Sequence, residues 1–343
     1  MTAPPPTPLG APADCPPAAR ALYAPHRRPA TFLAGGLFFN PWRPFSLPPW
    51  AVLRWWLSPN RYDKSVPPRV PSVPWDGRRL GERPQAAVTW VGHATFAIED
   101  GGGGVALTDP HFGRRALLPR RHLPPGLPLA AVPEEAVAVL SHDHYDHLDL
   151  WTVRRLPAST RWFVPLGLGG WLRRHGARRV VELDWWQEVE AGPWTLTCLP
   201  AQHWSNRALR RRNGSLWCSW LLSSRGRSVY FAGDSGAFPG FAEIGRRFPG
   251  IDLALLPIGA YEPRWFMGYQ HMDPAEAYAA FLDLGAATMV GMHWGCFDLT
   301  DEPIDLAPRA LAEAVRRAGG DRRVRTMAVG ERWALPAAAT MAR

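Results

Sequence analysis

Ser141-His142-Asp143-His144-Tyr145-Asp146-His147 directly follows an apolar run at residues 137–140, which places an H-x-H-x-D-H motif at the C-terminal end of a predicted strand. Imidazole nitrogens and carboxylate oxygens are ligands that a borderline ion such as Zn²⁺ accepts, and no thiolate is needed. The compact spacing lets one loop serve two ions, with His142 and His144 directed at one and Asp146 and His147 at the other. Four ligands do not complete two sites. His203 in Pro200-Ala201-Gln202-His203-Trp204, Asp234 in Gly233-Asp234-Ser235-Gly236 and His293 in Gly291-Met292-His293-Trp294-Gly295 each follow a β-rich run and fit the remaining positions. Asp234 is the natural bridge, because one carboxylate binds two ions, and its flanking glycines permit a tight turn.

Around this motif the chain divides in two. Residues 1–85 hold 19 of the 37 prolines and no long helix or strand pattern. They read as an arm on a catalytic domain at residues 86–343. From residue 86, β-rich runs (87–91, 96–99, 105–108, 137–140, 194–199, 228–232, 253–256, 288–292) alternate with helical patterns near 166–175, 239–248, 274–284 and 308–318. This order predicts sheets covered by helices. Four separated cysteines form no disulfide framework. With no secretory pattern and no apolar run long enough to span a bilayer, the expected address is the cytoplasm, with peripheral attachment to the inner membrane face as an option.

The net charge is +9, and +7 of it lies in residues 1–90, which carry 11 basic and 4 acidic residues. Only Lys64 among the 39 basic residues is a lysine, a bias that argues against selection for nucleic-acid contacts. In residues 38–57, Phe38, Phe39, Trp42, Trp50, Trp55 and Trp56 are interleaved with Arg43 and Arg54 and with no acid. Two readings stand: an embrace of the domain, or a surface for anionic lipid.

The order H-x-H-x-D-H, later His, G-D and final His resembles the metallo-β-lactamase superfamily. Residues 88–95, 107–110, 162–168, 182–186 and Pro257-Ile258-Gly259-Ala260-Tyr261-Glu262-Pro263-Arg264-Trp265-Phe266-Met267 further resemble its N-acylphosphatidylethanolamine-hydrolysing phospholipase D members. The resemblance spans roughly residues 86–300. It implies an α/β fold, the four-layer αββα sandwich, and two zinc ions per chain. It puts His142, His144 and His203 on one zinc, Asp146, His147 and His293 on the other, and Asp234 between them. It also implies a substrate-side catalytic role for His271. Asp143, Ala237 and Cys296 depart from the family pattern without touching a ligand, and are expected to reshape the pocket rim.

Asp273, Pro274 and Glu276 predict a helix start, which leaves His271 in the preceding loop, free for proton transfer. Asp146 is expected to orient the attacking water. His93 and Asp109 are expected beside the ligands, Asp109 accepting the second N–H of a metal-bound imidazole. Gln270, Tyr261 and Trp265 are the expected substrate contacts. The leading expectation is a phospholipase D reaction that releases an N-acylethanolamine and phosphatidic acid. The alternative is a soluble hydrolase of a lactone or another phosphodiester. Expected partners are the phospholipid and an anionic membrane surface, with a homodimer left open and no nucleic acid.

Overall fold

The computed structural model describes residues 7–30, 33–45, 48, 50–207 and 212–336, so the first six residues of the predicted arm lie outside it. Among the described residues, two large sheets face each other. One runs in the order Arg332–Ala334, Ala86–Gly92, Thr95–Asp100, Val105–Thr108, Val137–Val139, Arg161–Pro165, Arg179–Leu183. The other runs Thr7–Pro8, Gln187–Ala191, Trp194–Leu199, Ser219–Ser224, Arg227–Phe231, Leu253–Pro257, Thr288–Met292, Val324–Thr326.

Every residue of Ala86–Gly92 and Thr95–Asp100 is buried. One face of that sheet meets the second sheet and the other meets covering segments, so these strands cannot alternate between core and water. Trp90, Phe96, Trp217, Trp220, Tyr230 and Phe231 fill the space between the sheets. A second core of Leu107, Ala138, Trp162, Val164 and Leu172 lies under Leu150–Val153 and Gly169–Arg174. Gly240–Arg247, Pro274–Leu284 and Ala307–Arg317 pack side by side over the other sheet. The result is the four-layer αββα sandwich.

Pro274–Leu284 shows how locally the helices are specified. The Asp273 carboxylate accepts from the Ala275 and Glu276 backbone N–H groups, Glu276 accepts from the Asp273 N–H, and Gly285 ends the helix in the left-handed region.

The arm is built into the domain. Thr7–Pro8 pairs antiparallel with Gln187–Ala191, and Arg27–Ala30 pairs with Leu33–Phe38. Trp42 Nε1 donates to Gln202 Oε1 at 3.2 Å, and its ring lies 5.3 Å from Trp185. Asn40 Nδ2 donates to the His203 carbonyl at 3.0 Å. The short helix Ala51–Leu57 rests Trp55 on Phe266 and donates from Trp55 Nε1 to Asp301 Oδ1 at 2.8 Å. Its other side exposes Leu53, Trp56 and Leu57, the last two at 75% and 76%. The Arg43 and Arg54 guanidinium groups stack over the rings of Tyr269 (5.5 Å) and Trp265 (4.4 Å), so both arginines fasten the arm to the domain. No helix among the described residues is long and apolar enough to cross a membrane.

Candidate metal centre

Each candidate ligand stands just beyond the C-terminal end of a strand, so the two sheets deliver side chains to one edge of the sandwich. The 142–147 segment follows Val137–Val139, His203 follows Trp194–Leu199, Asp234 follows Arg227–Phe231, and His293 follows Thr288–Met292. Gly233, at φ +58°, turns Asp234 inward, and a Cβ there would collide with the Ser141 side chain. His93, Asp109 and His293 also hold positive φ (57°, 34° and 64°), a conformation that non-glycine residues keep only where the surroundings enforce it.

Two clusters result. In the first, His144 Nδ1 lies 3.0 Å from His142 Nε2 and 3.2 Å from His203 Nε2. In the second, His147 Nε2 lies 3.2 Å from His293 Nε2, and Asp146 Oδ2 is 3.4 Å from each. Asp234 belongs to both. Its Oδ2 is 3.1 Å from His147 Nε2, 3.7 Å from His142 Nε2 and 3.8 Å from His203 Nε2, while its Oδ1 is 3.1 Å from His293 Nε2. Four ligands held tetrahedrally at Zn–N distances of 2.0–2.1 Å stand about 3.3 Å apart, so these separations suit an ion of that size. No cysteine joins either cluster among the described residues.

The outer ring nitrogens set which lone pairs face inward. Asp109 accepts the Ser141 backbone N–H at 2.6 Å and the Ser141 hydroxyl, whose oxygen lies 2.8 Å from His142 Nδ1. Asp109 Oδ2 also sits 2.7 Å from His147 Nδ1, and the Gln270 carbonyl is 3.1 Å from His203 Nδ1. With those Nδ1–H groups spent outward, the Nε2 lone pairs of His142, His147 and His203 point at the cluster centres. His93 Nε2 lies 3.0 Å from Asp146 Oδ2, close enough to hold that carboxylate or to join the second cluster itself.

Charge separates the two clusters. Burial, reinforced by neighbouring imidazoles, holds His142 well below the usual histidine value. Burial does the same for His203 and lowers His144, against the opposing pull of nearby carboxylates. In the second cluster burial pulls the same way but loses to carboxylates. Asp234 and Asp146 raise His293 to about 9 and, with Asp109, lift His147 well above its ordinary value. Burial raises Asp146 and Asp234, yet the facing imidazoles outweigh it and keep both well below the carboxylate range.

A cavity of about 430 Å³ opens over the clusters. Asp146, Asp234, His144, His271 and Gln270 line its polar floor, and Phe45, Val52, Trp55, Phe266, Met267 and Leu299 are among its apolar walls. His271 Nδ1 stands 3.9 Å from Asp234 Oδ2, and burial pushes its imidazole down to about 3. Arg264 donates to the His271 carbonyl at 2.9 Å while pairing with Glu276, which ties this loop to the following helix cap. Of the other expected substrate contacts, Tyr261 packs in the core, and Trp265 lies outside the cavity under Arg54. Phe266 and Met267 take the wall positions instead, because the 264–267 turn points Trp265 outward. Asp143 accepts from the Asn206 N–H and the Ser215 hydroxyl, so this departure from the family pattern anchors the rim loop.

Sequence reading missed Arg212. It lines the cavity, with its guanidinium 4.3 Å from the Phe45 ring and 4.9 Å from Trp204, whose own ring lies 4.7 Å from His144. It is the one lysine or arginine among the described lining residues. Nothing in the run Arg210-Arg211-Arg212 marks one arginine over its neighbours.

Residues 106–294, more than half of the chain, match the β-lactamase superfamily domain. An N-acyl-phosphatidylethanolamine-hydrolyzing phospholipase D of Caenorhabditis elegans is 40% identical over 239 residues, 64% of this chain and 67% of that protein. A mitochondrial protein of the same name from Saccharomyces cerevisiae is 35% identical over 68% of this chain and 52% of its own length. The matched region thus spans between half and two thirds of these relatives. Among solved structures, the metallo hydrolase Igni18 of Ignicoccus hospitalis superposes with a TM-score of 0.56 at 23% identity, covering 74% of this chain and 99% of that one. Motif, sandwich and shared family domain agree, and the chain belongs to the metallo-β-lactamase superfamily as one of its hydrolases.

Proposed function

We propose that this protein is a two-zinc phosphodiesterase that hydrolyses N-acylphosphatidylethanolamine to an N-acylethanolamine and phosphatidic acid. The observation that carries the reading is the pairing of two His/Asp clusters, joined through Asp234, with a cavity whose walls are apolar and whose one arginine or lysine among the described residues is Arg212. His142, His144 and His203 would hold one ion, and Asp146, His147 and His293 the other. Bound there, the ions supply an acidified water and neutralise phosphate oxygens. Asp146, kept ionised, orients the water as it adds to phosphorus. The P–O bond to the ethanolamine oxygen breaks, and His271 handles the proton that the leaving oxygen needs. The apolar walls suit acyl chains. The names of the worm and yeast relatives support the same substrate class.

Arg212 favours an anionic diester over a neutral lactone. The test presents N-acylphosphatidylethanolamine in vesicles, a soluble diester and a lactone to the zinc-loaded protein. The expected result is equimolar N-acylethanolamine and phosphatidic acid. Arg212→Met should weaken kcat/KM for both diesters by roughly 10- to 100-fold, the scale of a hydrogen bond to a charged group, and leave the lactone unaffected. Failure to cleave the lipid, with good lactone turnover, would overturn the reading.

The exposed Leu53, Trp56 and Leu57 lie on the helix that supplies Val52 and Trp55 to the cavity wall, and we assign them to lipid contact at its mouth. Trp56→Ser with Leu57→Ser should cut turnover of vesicle-embedded substrate by roughly tenfold or more while sparing the soluble diester. An equal loss on both would make the helix merely structural.

A further inference from the structure

Outside the metal cavity, residues 114–121 form a tight hairpin. Arg115 and Arg120 bridge antiparallel, Arg121 N–H donates to the Arg114 carbonyl at 2.9 Å, and Ala116 N–H donates to the Pro119 carbonyl at 3.0 Å. The tip is apolar and bare, with Leu117 and Leu118 exposed at 59% and 77%. Ala116, inside the hairpin, packs on Cys296 and Phe297. The hairpin therefore stands on a base, and among the described residues its tip has no partner that would explain two leucines in water.

Beside the tip lies a cavity of about 1250 Å³ lined by Arg114, Arg115, Arg120, Arg121 and His122. None of the four guanidinium groups has a carboxylate partner among the described residues. Arg121 is spent on the Gly113 and His111 carbonyls, and Arg115 on the Leu118 carbonyl. One acid lines the cavity, Asp149, and it is occupied. It accepts from the Gly113, Trp151 and Thr152 backbone N–H groups and from the Thr152 hydroxyl. In the adjoining cavity, which shares Arg120 and Arg121, Asp298 is paired with Lys64. Trp151, 43% exposed, forms part of the same wall and carries Arg155 stacked at 4.4 Å. Concentrated, unneutralised arginines around exposed leucines and an interfacial tryptophan match an anionic headgroup layer with acyl chains beneath it.

We propose that this arginine-lined cavity binds the headgroup of an anionic phospholipid while Leu117 and Leu118 enter the bilayer, a docking site separate from the metal cavity. The surface also bears on how substrate is reached. The loop that carries Cys296 and Phe297 under the hairpin continues to Leu299 and Thr300 in the metal-cavity wall and to Asp301 under the Ala51–Leu57 helix. The hairpin and the helix are thus fixed to the two ends of one short loop. This proposal rests on the lipid-facing reading of the metal cavity, but its test does not need the substrate to be right.

The experiment is co-flotation of the full-length zinc-loaded protein with vesicles of phosphatidylcholine, with or without phosphatidylglycerol, alongside turnover of a soluble diester. Wild type should bind the phosphatidylglycerol vesicles and be released by salt. Arg114→Ser, Arg115→Ser and Arg120→Ser together should weaken that binding by on the order of a hundredfold, with soluble turnover unchanged. Leu117→Ser with Leu118→Ser should weaken binding to both vesicle types. Unaltered binding of the triple variant would overturn the proposal. So would release of wild type from vesicles by millimolar inorganic phosphate, which would mark a soluble-phosphate site. Wild type that binds the vesicles yet leaves N-acylphosphatidylethanolamine in them uncleaved would instead count against the proposed reaction alone.

Discussion

Asp234→Ala is expected to abolish zinc at both clusters and to lower activity by at least about 10³-fold, because its carboxylate lies against imidazoles of both. His203→Ala should chiefly empty the first cluster. Wild type should bind about two zinc ions per chain and lose activity with chelator. The pH dependence should differ between the two ions. His142, His144 and His203 sit below their ordinary value and are neutral at pH 7, so the first ion displaces no proton there. Carboxylates raise His293 to about 9 and His147 well above its ordinary value, so the metal-free second cluster retains protons at pH 7 that the first lacks. The second ion must expel those protons, so its affinity should fall as pH drops below about 9, by up to about tenfold per unit per proton displaced. Calorimetric titration in buffers of different ionisation enthalpy measures the release. Equal release for both ions, or a single ion in active protein, would contradict this account.

His271→Ala should lower kcat by roughly 10²–10⁴ with the zinc content unchanged. The side chain reaches into the cavity beside Asp234, and burial pushes it down to about 3. In the free protein it is therefore neutral throughout the working range, which refines the sequence expectation. A neutral imidazole cannot open the reaction as an acid; it first accepts a proton, and can then pass it to the leaving oxygen. Since it stays neutral down to about pH 3, no acid limb between pH 5 and 8 in kcat/KM should trace to it, and any such limb should persist in His271→Gln. If the proton reaches the leaving group, a substrate with a more acidic leaving group should lose less on substitution. Equal losses would make His271 a positioning residue.

Long apolar strands and the well-capped helix were readable because their information is local. Val105–Thr108, Leu253–Pro257 and Thr288–Met292 are continuous apolar or β-branched runs, and Pro274–Leu284 carries its own cap residues. Gln187–Ala191 was not readable. Its Gln-Glu-Val-Glu-Ala sequence has no strong strand preference, and it becomes a strand by pairing with Trp194–Leu199 on one side and the arm's Thr7–Pro8 on the other. The helix Ala51–Leu57 is too short for a helical period to emerge from an aromatic background, and it depends on Trp55 docking against Phe266 and Asp301.

The sequence by itself determined which side chains are available to form a metal centre. A dense H-x-H-x-D-H loop, with later histidine and aspartate residues each placed after a strand, leaves few uses other than a metal centre, because ligand type and spacing are local properties of the chain. Only the tertiary structure decided what surrounds that centre. It split the arm's aromatics between Trp42 and Trp55, turned inward, and Trp56, left in water. It exchanged Trp265 for Phe266 and Met267 at the wall, and singled out Arg212 by setting its guanidinium against both Phe45 and Trp204. Those outcomes depend on contacts between residues as far apart as 45 and 212, and a side chain's direction across such a separation is set by packing, which no local pattern encodes.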